Sequence, residues 1–129
     1  MSDQPALRDT TLMEISDVES KFKFTFPERH RQALLDFSDP IHEACAFLDL
    51  SDIVRENDWI HGPKCGDPWP DFLIAFASNQ CGDFFAYDTR QNPASIIYID
   101  PDNTVGENLE SSDKLSYATF EHWYESYVA

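Results

Sequence analysis

The sequence predicts an α+β fold: a largely antiparallel central sheet of about 4–6 strands, with two N-terminal helices and a C-terminal helix packed against it. Three observations lead to this prediction. Apolar residues recur at helical spacing near both ends of the chain, strand-like apolar runs occupy the middle, and no repeat or Gly/Ser linker divides the 129 residues. We therefore expect one domain over 11–129, preceded by a flexible N-terminus over 1–10.

The first helix is predicted over 12–22. Thr11 and Glu14 fit a capping box, in which each side chain accepts a hydrogen bond from the other residue's backbone N–H. Apolar residues then follow at spacings of three and four, as on one face of a helix. They are Leu12, Ile15, Val18 and Phe22.

The second helix is predicted over 27–37. Proline suits the first turn of a helix, where its missing N–H costs nothing, and Pro27 stands there. We expect this helix to bury Leu34 and Phe37 and to end at Ser38-Asp39-Pro40.

The connection to the sheet combines a strand with an irregular stretch. Residues 45–50 can form the strand, and Ser51 can cap a short helix after it. From 57 to 71 the glycines and prolines forbid long regular structure. Trp59 and Trp69 lie in this stretch, and for each alone the simpler expectation is a core residue that pins the loop to the body.

Three apolar runs separated by turn residues predict the strands. They span 72–77, 84–88 and 95–100. The first is nearly all apolar, as in a central strand covered on both faces. A hairpin-type turn over 79–83 joins it to the second, with Gly82 free to take positive φ. Aromatic residues then predict a closing helix that begins at Ser116 or Thr119. They are Phe120, Trp123, Tyr124 and Tyr127.

The charge of the chain favours a basic partner. Asp and Glu number 24 against 9 Lys and Arg, which gives a net charge of −15 and a pI near 4.3. A surface of this sign repels phosphate, so we expect no nucleic-acid binding and no membrane binding. It also steers a basic protein towards itself. Acidity that serves solubility alone is the alternative.

The cysteines indicate a cytoplasmic protein with no metal or cofactor. Cys45, Cys65 and Cys81 are odd in number, widely spaced and without a Cys-x-x-Cys pair, which favours reduced structural cysteines. The N-terminal residues lack a basic region followed by an apolar stretch, so we expect no secretory signal. The longest apolar run, 72–77, is far shorter than the ~20 residues of a membrane span.

No pattern of residues predicts catalysis. Cys65 with His61 would make a nucleophile and its base, but no nucleophile elbow, Gly-rich phosphate loop or orienting group accompanies them. Asp100 and Asp102 lack the glycine and the distal glutamate of a calcium loop, so a solvated turn is the better interpretation. We expect a protein that is not an enzyme, with a small hydrolase or metal-binding protein as the remote alternative.

Five segments, in their order and spacing, resemble the SUKH superfamily over about residues 11–128. The segments are Ile15, Glu19 and Phe22 with Phe26-Pro27-Glu28, Trp69-Pro70-Asp71-Phe72-Leu73-Ile74-Ala75-Phe76-Ala77, Gly82-Asp83-Phe84-Phe85-Ala86-Tyr87-Asp88, Ile97-Tyr98-Ile99-Asp100 and Thr119-Phe120-Glu121-His122-Trp123. The chain departs from the family pattern in one place. Asp39-Pro40-Ile41-His42-Glu43 stands where members commonly carry an Asn-Gly or Gly-Gly turn.

This resemblance implies a function in bacterial immunity. Bacterial members typically lie in the cytosol and neutralise toxins delivered by competing cells, by binding the toxin domain directly. Many such toxins are nucleases or nucleic-acid deaminases with basic substrate-binding faces, which the acidic chain would suit. The superfamily also contains fungal regulators of cell-wall synthesis, so a non-immunity interaction module or regulator of the same fold is the alternative.

The loop over 59–71 and the neighbouring hairpin form the candidate partner-binding surface. In this interpretation Trp69 is the anchor, and the aspartates around it are charge partners for a basic protein. The predicted partner-binding residues are Asp58, Asp67, Trp69, Asp71, Asp83 and Asp88.

Overall fold

Helices pack around one sheet in the computed structural model, which describes residues 11–44, 46–62, 66, 68–78, 83–100, 102–110 and 116–128. The helices of this described part are α1 (Leu12–Phe22), α2 (Glu28–Leu35), α3 (Ile41–Ala44), α4 (Leu50–Ile60), α5 (Val105–Glu110) and α6 (Phe120–Val128). The strands are β1 (Ala46–Phe47), β2 (Leu73–Ser78), β3 (Phe84–Asp88), β4 (Ser95–Ile99) and β5 (Ser116–Tyr117).

The sheet is antiparallel throughout, and its strands are neighbours in sequence order, β1-β2-β3-β4-β5. This confirms the predicted fold class, with the strand count inside the expected range. The three apolar runs became β2, β3 and β4, with bounds that differ from the prediction by at most one residue. The predicted turn at Gly82 lies outside the described residues, as do the three cysteines.

The first helix begins and ends where the sequence predicts. The Thr11 hydroxyl accepts a hydrogen bond from the Glu14 N–H at 3.2 Å, and the Glu14 carboxylate accepts one from the Thr11 N–H at 2.9 Å. Lys23 ends the helix in the left-handed conformation, with φ of 56°. Ile15 and Val18 are buried, but Leu12 is 57% exposed and lies outside the core.

The prediction for the second helix was wrong at its C-terminal end. The helix stops at Leu35, because the Asp36 carboxylate accepts hydrogen bonds from the N–H and hydroxyl of Ser38 and turns the chain. Phe37 lies at this turn and is 40% exposed instead of buried. The short helix α3 follows, which the sequence analysis did not predict.

The prediction of an irregular stretch over 57–71 was wrong at its start. Helix α4 continues to Ile60, because the first residue that disfavours a helix is Gly62. Asp49, and not Ser51, caps this helix by accepting a hydrogen bond from the Asp52 N–H. On this longer helix Trp59 is 54% exposed, so its expected place in the core was wrong as well.

Apolar clusters cover both faces of the sheet. Helices α1, α2, α3, α4 and α6 contribute to the larger cluster, which includes Ile15, Leu34, Ile53, Phe76, Tyr87, Phe120 and Trp123. The smaller cluster on the other face includes Ile60, Trp69, Leu73, Ala86, Ile97 and Val105. Residues 73–77 of β2 are buried without interruption, as predicted for a strand covered on both sides.

Candidate functional site

The last turns of α4 lie along the part of the β2 edge that no described strand covers. Strand β1 pairs with β2 only at Ala77 and Ser78, which leaves the preceding residues of β2 without a strand partner on that side. The buried Asn57 side chain takes this place. Its Oδ1 accepts a hydrogen bond from the Ala75 N–H at 3.0 Å, and its Nδ2 donates to the Ala75 carbonyl at 2.9 Å. The α4 helix therefore satisfies backbone groups that would otherwise be exposed at the edge.

His61 continues this role one turn later. Its Nε2 lies 2.8 Å from the Leu73 carbonyl oxygen, and its Nδ1 lies 3.1 Å from the Trp69 carbonyl oxygen. Both ring nitrogens therefore lie within hydrogen-bonding distance of backbone carbonyl oxygens. Because the ring is held by the backbone in this way, its position is fixed beside the start of β2.

A cleft of about 480 Å³ opens where α1 ends, α4 ends and β2 begins. Most of its lining residues are polar, and they include Lys21, Lys23, Asp58, His61 and Asp71 beside the apolar Ile74. Lys21 Nζ lies 3.0 Å from Asp58 Oδ1, and both side chains are about half exposed. Lys23 forms no ion pair with a described carboxylate. The cleft therefore combines a surface ion pair with charges that remain open to a partner.

The structure brings two of the six predicted binding residues together, since Asp58 and Asp71 line the same cleft. Asp83 and Asp88 lie at opposite ends of β3, and Asp88 is 5% exposed. The Asp88 carboxylate accepts hydrogen bonds from Arg90 Nε at 3.0 Å and Nη2 at 2.9 Å.

Trp69, the expected anchor, packs inside the protein. It is 8% exposed, and its ring contacts Phe84 edge-on with centroids 5.6 Å apart. A partner would therefore meet little of its indole. Asp67 lies outside the described residues.

Trp59 is exposed, which the sequence analysis did not predict. Its signal was present in the sequence. Leu50, Ile53, Asn57 and Ile60 recur at helical spacing, and they are the buried residues of α4. Extending the helix through them places Trp59 on the opposite side, away from the core.

A second polar centre lies inside the larger cluster, at His30. Its Nδ1 lies 2.6 Å from the Tyr87 hydroxyl, and its ring stacks on Phe120 with centroids 4.6 Å apart. Burial, and to a smaller extent the charge of His42, lowers the pKa of His30 to about 3. Burial also raises the pKa of Tyr87. Both groups are fully enclosed and neutral near pH 7, so they belong to the core and not to a surface site.

The loop that departs from the family pattern is held by a charged network. Asp39 is buried, caps α3 through the Ile41 N–H, and accepts hydrogen bonds from Arg29 at 2.7 Å and the Tyr124 hydroxyl at 2.8 Å. Burial alone would raise the pKa of Asp39, but these hydrogen bonds outweigh it and lower the pKa below the usual range. The network ties α3 to α6, so this loop is a structural connection.

Two negative findings concern the described residues only. No group of three or more His, Cys, Asp or Glu side chains among them could hold a metal ion. None of their helices is long and apolar enough to cross a membrane.

Fold and site together define a small α+β domain whose sheet carries helices on both faces. The sequence profile of the SMI1 / KNR4 family (SUKH-1) matches residues 10–126. The chain therefore belongs to this family, which confirms the resemblance to the SUKH superfamily. The family is associated with immunity proteins or regulators, and its members are generally not enzymes. No curated protein and no solved structure matches the chain.

Proposed function

We propose that this protein is a bacterial immunity protein that binds a cognate toxin domain in the cytoplasm and neutralises it. The expected partner is basic, as a nuclease or a nucleic-acid deaminase would be. The observation that carries the proposal is the uncompensated negative charge of a chain in this family, −15 in total.

The ion pairs of the structure support this use of the charge. The described residues include six Lys and Arg, and five of them pair with carboxylates: Lys21, Arg29, Arg31, Arg55 and Arg90. The remaining carboxylates outnumber the cations by a wide margin. Such a surface raises the association rate with a basic protein, and salt screens the effect.

The cleft beside α4 supports binding in preference to catalysis. Its carboxylate Asp58 is paired with Lys21, and both ring nitrogens of His61 face backbone carbonyls. A general base needs a nitrogen or a carboxylate that is free to accept a proton from a substrate. Asp58 and His61 are therefore engaged with the protein itself, and Lys23 and Asp71 remain as charges open to a partner.

The test uses the C-terminal domain of any large protein that is encoded beside this gene. That domain is expressed in a test cell with and without this chain, and both are then co-purified at low and at high salt. We expect the domain to kill, this chain to rescue growth, and the two proteins to form a complex that high salt weakens. Rescue without a complex would refute the binding mechanism. A toxic domain that this chain neither binds nor counteracts would leave the regulator as the better proposal.

A further inference from the structure

The outer face of α4 carries a tryptophan that the fold does not bury. Trp59 is 54% exposed, whereas Trp69 and Trp123 are 8% and 0% exposed. Its indole N–H makes no hydrogen bond with another described residue. Because α4 packs on the sheet through its opposite side, the core does not need this side chain.

Two carboxylates lie on the same face of α4 as this tryptophan. Asp52 and Glu56 precede Trp59 by seven and three residues, so the three side chains form one row along the helix. Arg55 lies between the carboxylates, with its nitrogens 2.6 Å from Asp52 and 3.6 Å from Glu56. Over residues 49–60, four carboxylates accompany this one cation.

A row of this composition fits one kind of partner. Tryptophan is enriched at the centres of protein interfaces, because one rigid side chain covers a large apolar area. Carboxylates around it select a surface with Lys or Arg beside an apolar hollow, and they repel an acidic surface. Two copies of a chain with a charge of −15 repel each other, so the charge disfavours self-association through this face.

We propose that the Trp59 face, formed by Asp52, Glu56 and Trp59, is the surface that docks the basic toxin domain. Trp59 enters an apolar hollow of the toxin, and the two carboxylates meet basic side chains at its rim. This inference rests on the proposed function, and it names the part of the acidic surface that makes the contact.

The experiment measures binding of the purified C-terminal domain of the neighbouring gene product to the full chain. Trp59→Ala is compared with Met13→Ala, which truncates an apolar side chain that is 75% exposed on another helix. We expect Trp59→Ala to weaken binding about 30-fold or more, as loss of a hot spot does. Met13→Ala should change the affinity by less than about threefold.

A second pair of variants tests the carboxylates. One double variant carries Asp52→Asn and Glu56→Gln. The control double variant carries Asp102→Asn and Glu110→Gln, which change the charge equally at exposed positions elsewhere. We expect the first pair to slow association more than the second at low salt, and the difference to shrink at high salt. Equal effects of the two pairs would contradict the assigned role of the two carboxylates.

Fluorescence separates a folding defect from a loss of contact. The difference in acrylamide quenching between the wild type and Trp59→Phe measures the quenching of Trp59 alone. Binding of the toxin domain should lower this quenching. Unchanged quenching in the complex, or full affinity of Trp59→Ala, would overturn this inference while leaving the proposed function intact. If the free wild-type chain sediments as an oligomer that Trp59→Ala dissociates, the Trp59 face binds a second copy of this chain, which would also overturn the inference. If the wild type neither binds nor rescues, both proposals fail.

Discussion

The buried histidine of the core leads to a specific prediction about stability and pH. His30 is fully buried, and burial lowers its pKa from the ordinary value of 6.5 to about 3. Unfolding returns the ring to water and restores the ordinary value. Between these two values the unfolded chain binds a proton at His30 that the folded chain does not, so unfolding becomes easier as the pH falls. The contribution of the neutral ring is complete above pH 6.5 and is lost progressively towards pH 3.

The magnitude follows from the same two values. At pH 5.5 the unfolded ring is protonated in about tenfold excess, so the folded state loses about 1 kcal/mol relative to pH 7.5. At pH 3 the loss would reach about 4 kcal/mol. The range from 7.5 to 5.5 suits the experiment, because the protein stays more than one unit above its pI of about 4.3.

Two single variants separate the titration from the hydrogen bond. His30→Phe keeps an aromatic ring stacked on Phe120 but removes the titrating group. It leaves the Tyr87 hydroxyl buried without a partner, at a cost of about 1–3 kcal/mol at every pH. Tyr87→Phe breaks the same hydrogen bond but retains the titrating ring, and is the matched control.

Urea unfolding followed by circular dichroism at pH 7.5 and 5.5 gives the free energies. We expect the wild type and Tyr87→Phe to lose about 1 kcal/mol more stability than His30→Phe does between these pH values. The double variant should recover part of the cost of each single variant, because it leaves neither polar group unpaired. If His30→Phe retains the wild-type difference, His30 is not a buried neutral ring and the reasoning is refuted.

Three further substitutions test other contacts. Asn57→Ala leaves the Ala75 N–H and carbonyl unpaired, so urea unfolding should show a loss of about 2–4 kcal/mol, and a loss below about 1 would contradict the edge role. Thr11→Ala should reduce the unfolding free energy by about 1 kcal/mol through loss of the capping box, with no change in the sheet. Tyr124→Phe removes a donor to Asp39 and should raise the pKa of that carboxyl, which carbon-detected NMR titration measures. The ionised Asp39 carboxylate stabilises the fold at pH values above its ordinary pKa. The loss of unfolding free energy in Tyr124→Phe should therefore shrink as the pH falls below 3.8. A loss that stays constant with pH would contradict this role of Asp39.

Local signals predicted the elements whose bounds proved accurate. The first helix has its capping box and its apolar stripe within twelve residues, so its start and end depend on neighbours in sequence. Strand β3, at Phe84–Asp88, lies between turn residues and needs no distant contact to define its length. In both elements the pattern and the tertiary packing agree.

The errors arose where a local turn or a distant contact overrode the pattern, or where a local signal was overlooked. Phe37 continues the apolar spacing of α2, but the turn made by Asp36 and Ser38 ends the helix before it. The buried Asn57 looked like a polar loop residue, whereas its amide completes the edge of β2. Helix α5 had a readable signal in Thr104 and Glu107, which form a capping box.

The candidate surface was harder to predict, because burial patterns report what folding uses and not what a partner uses. Asp88 was chosen for its charge, yet its carboxylate is buried and paired with Arg90. Asp58 and Asp71 meet only because α4 runs along the edge of β2, which the sequence does not display. Trp59 shows the converse. Its exposed indole adds little to the packing of the described residues, and the proposed contact with a basic protein would give it a use.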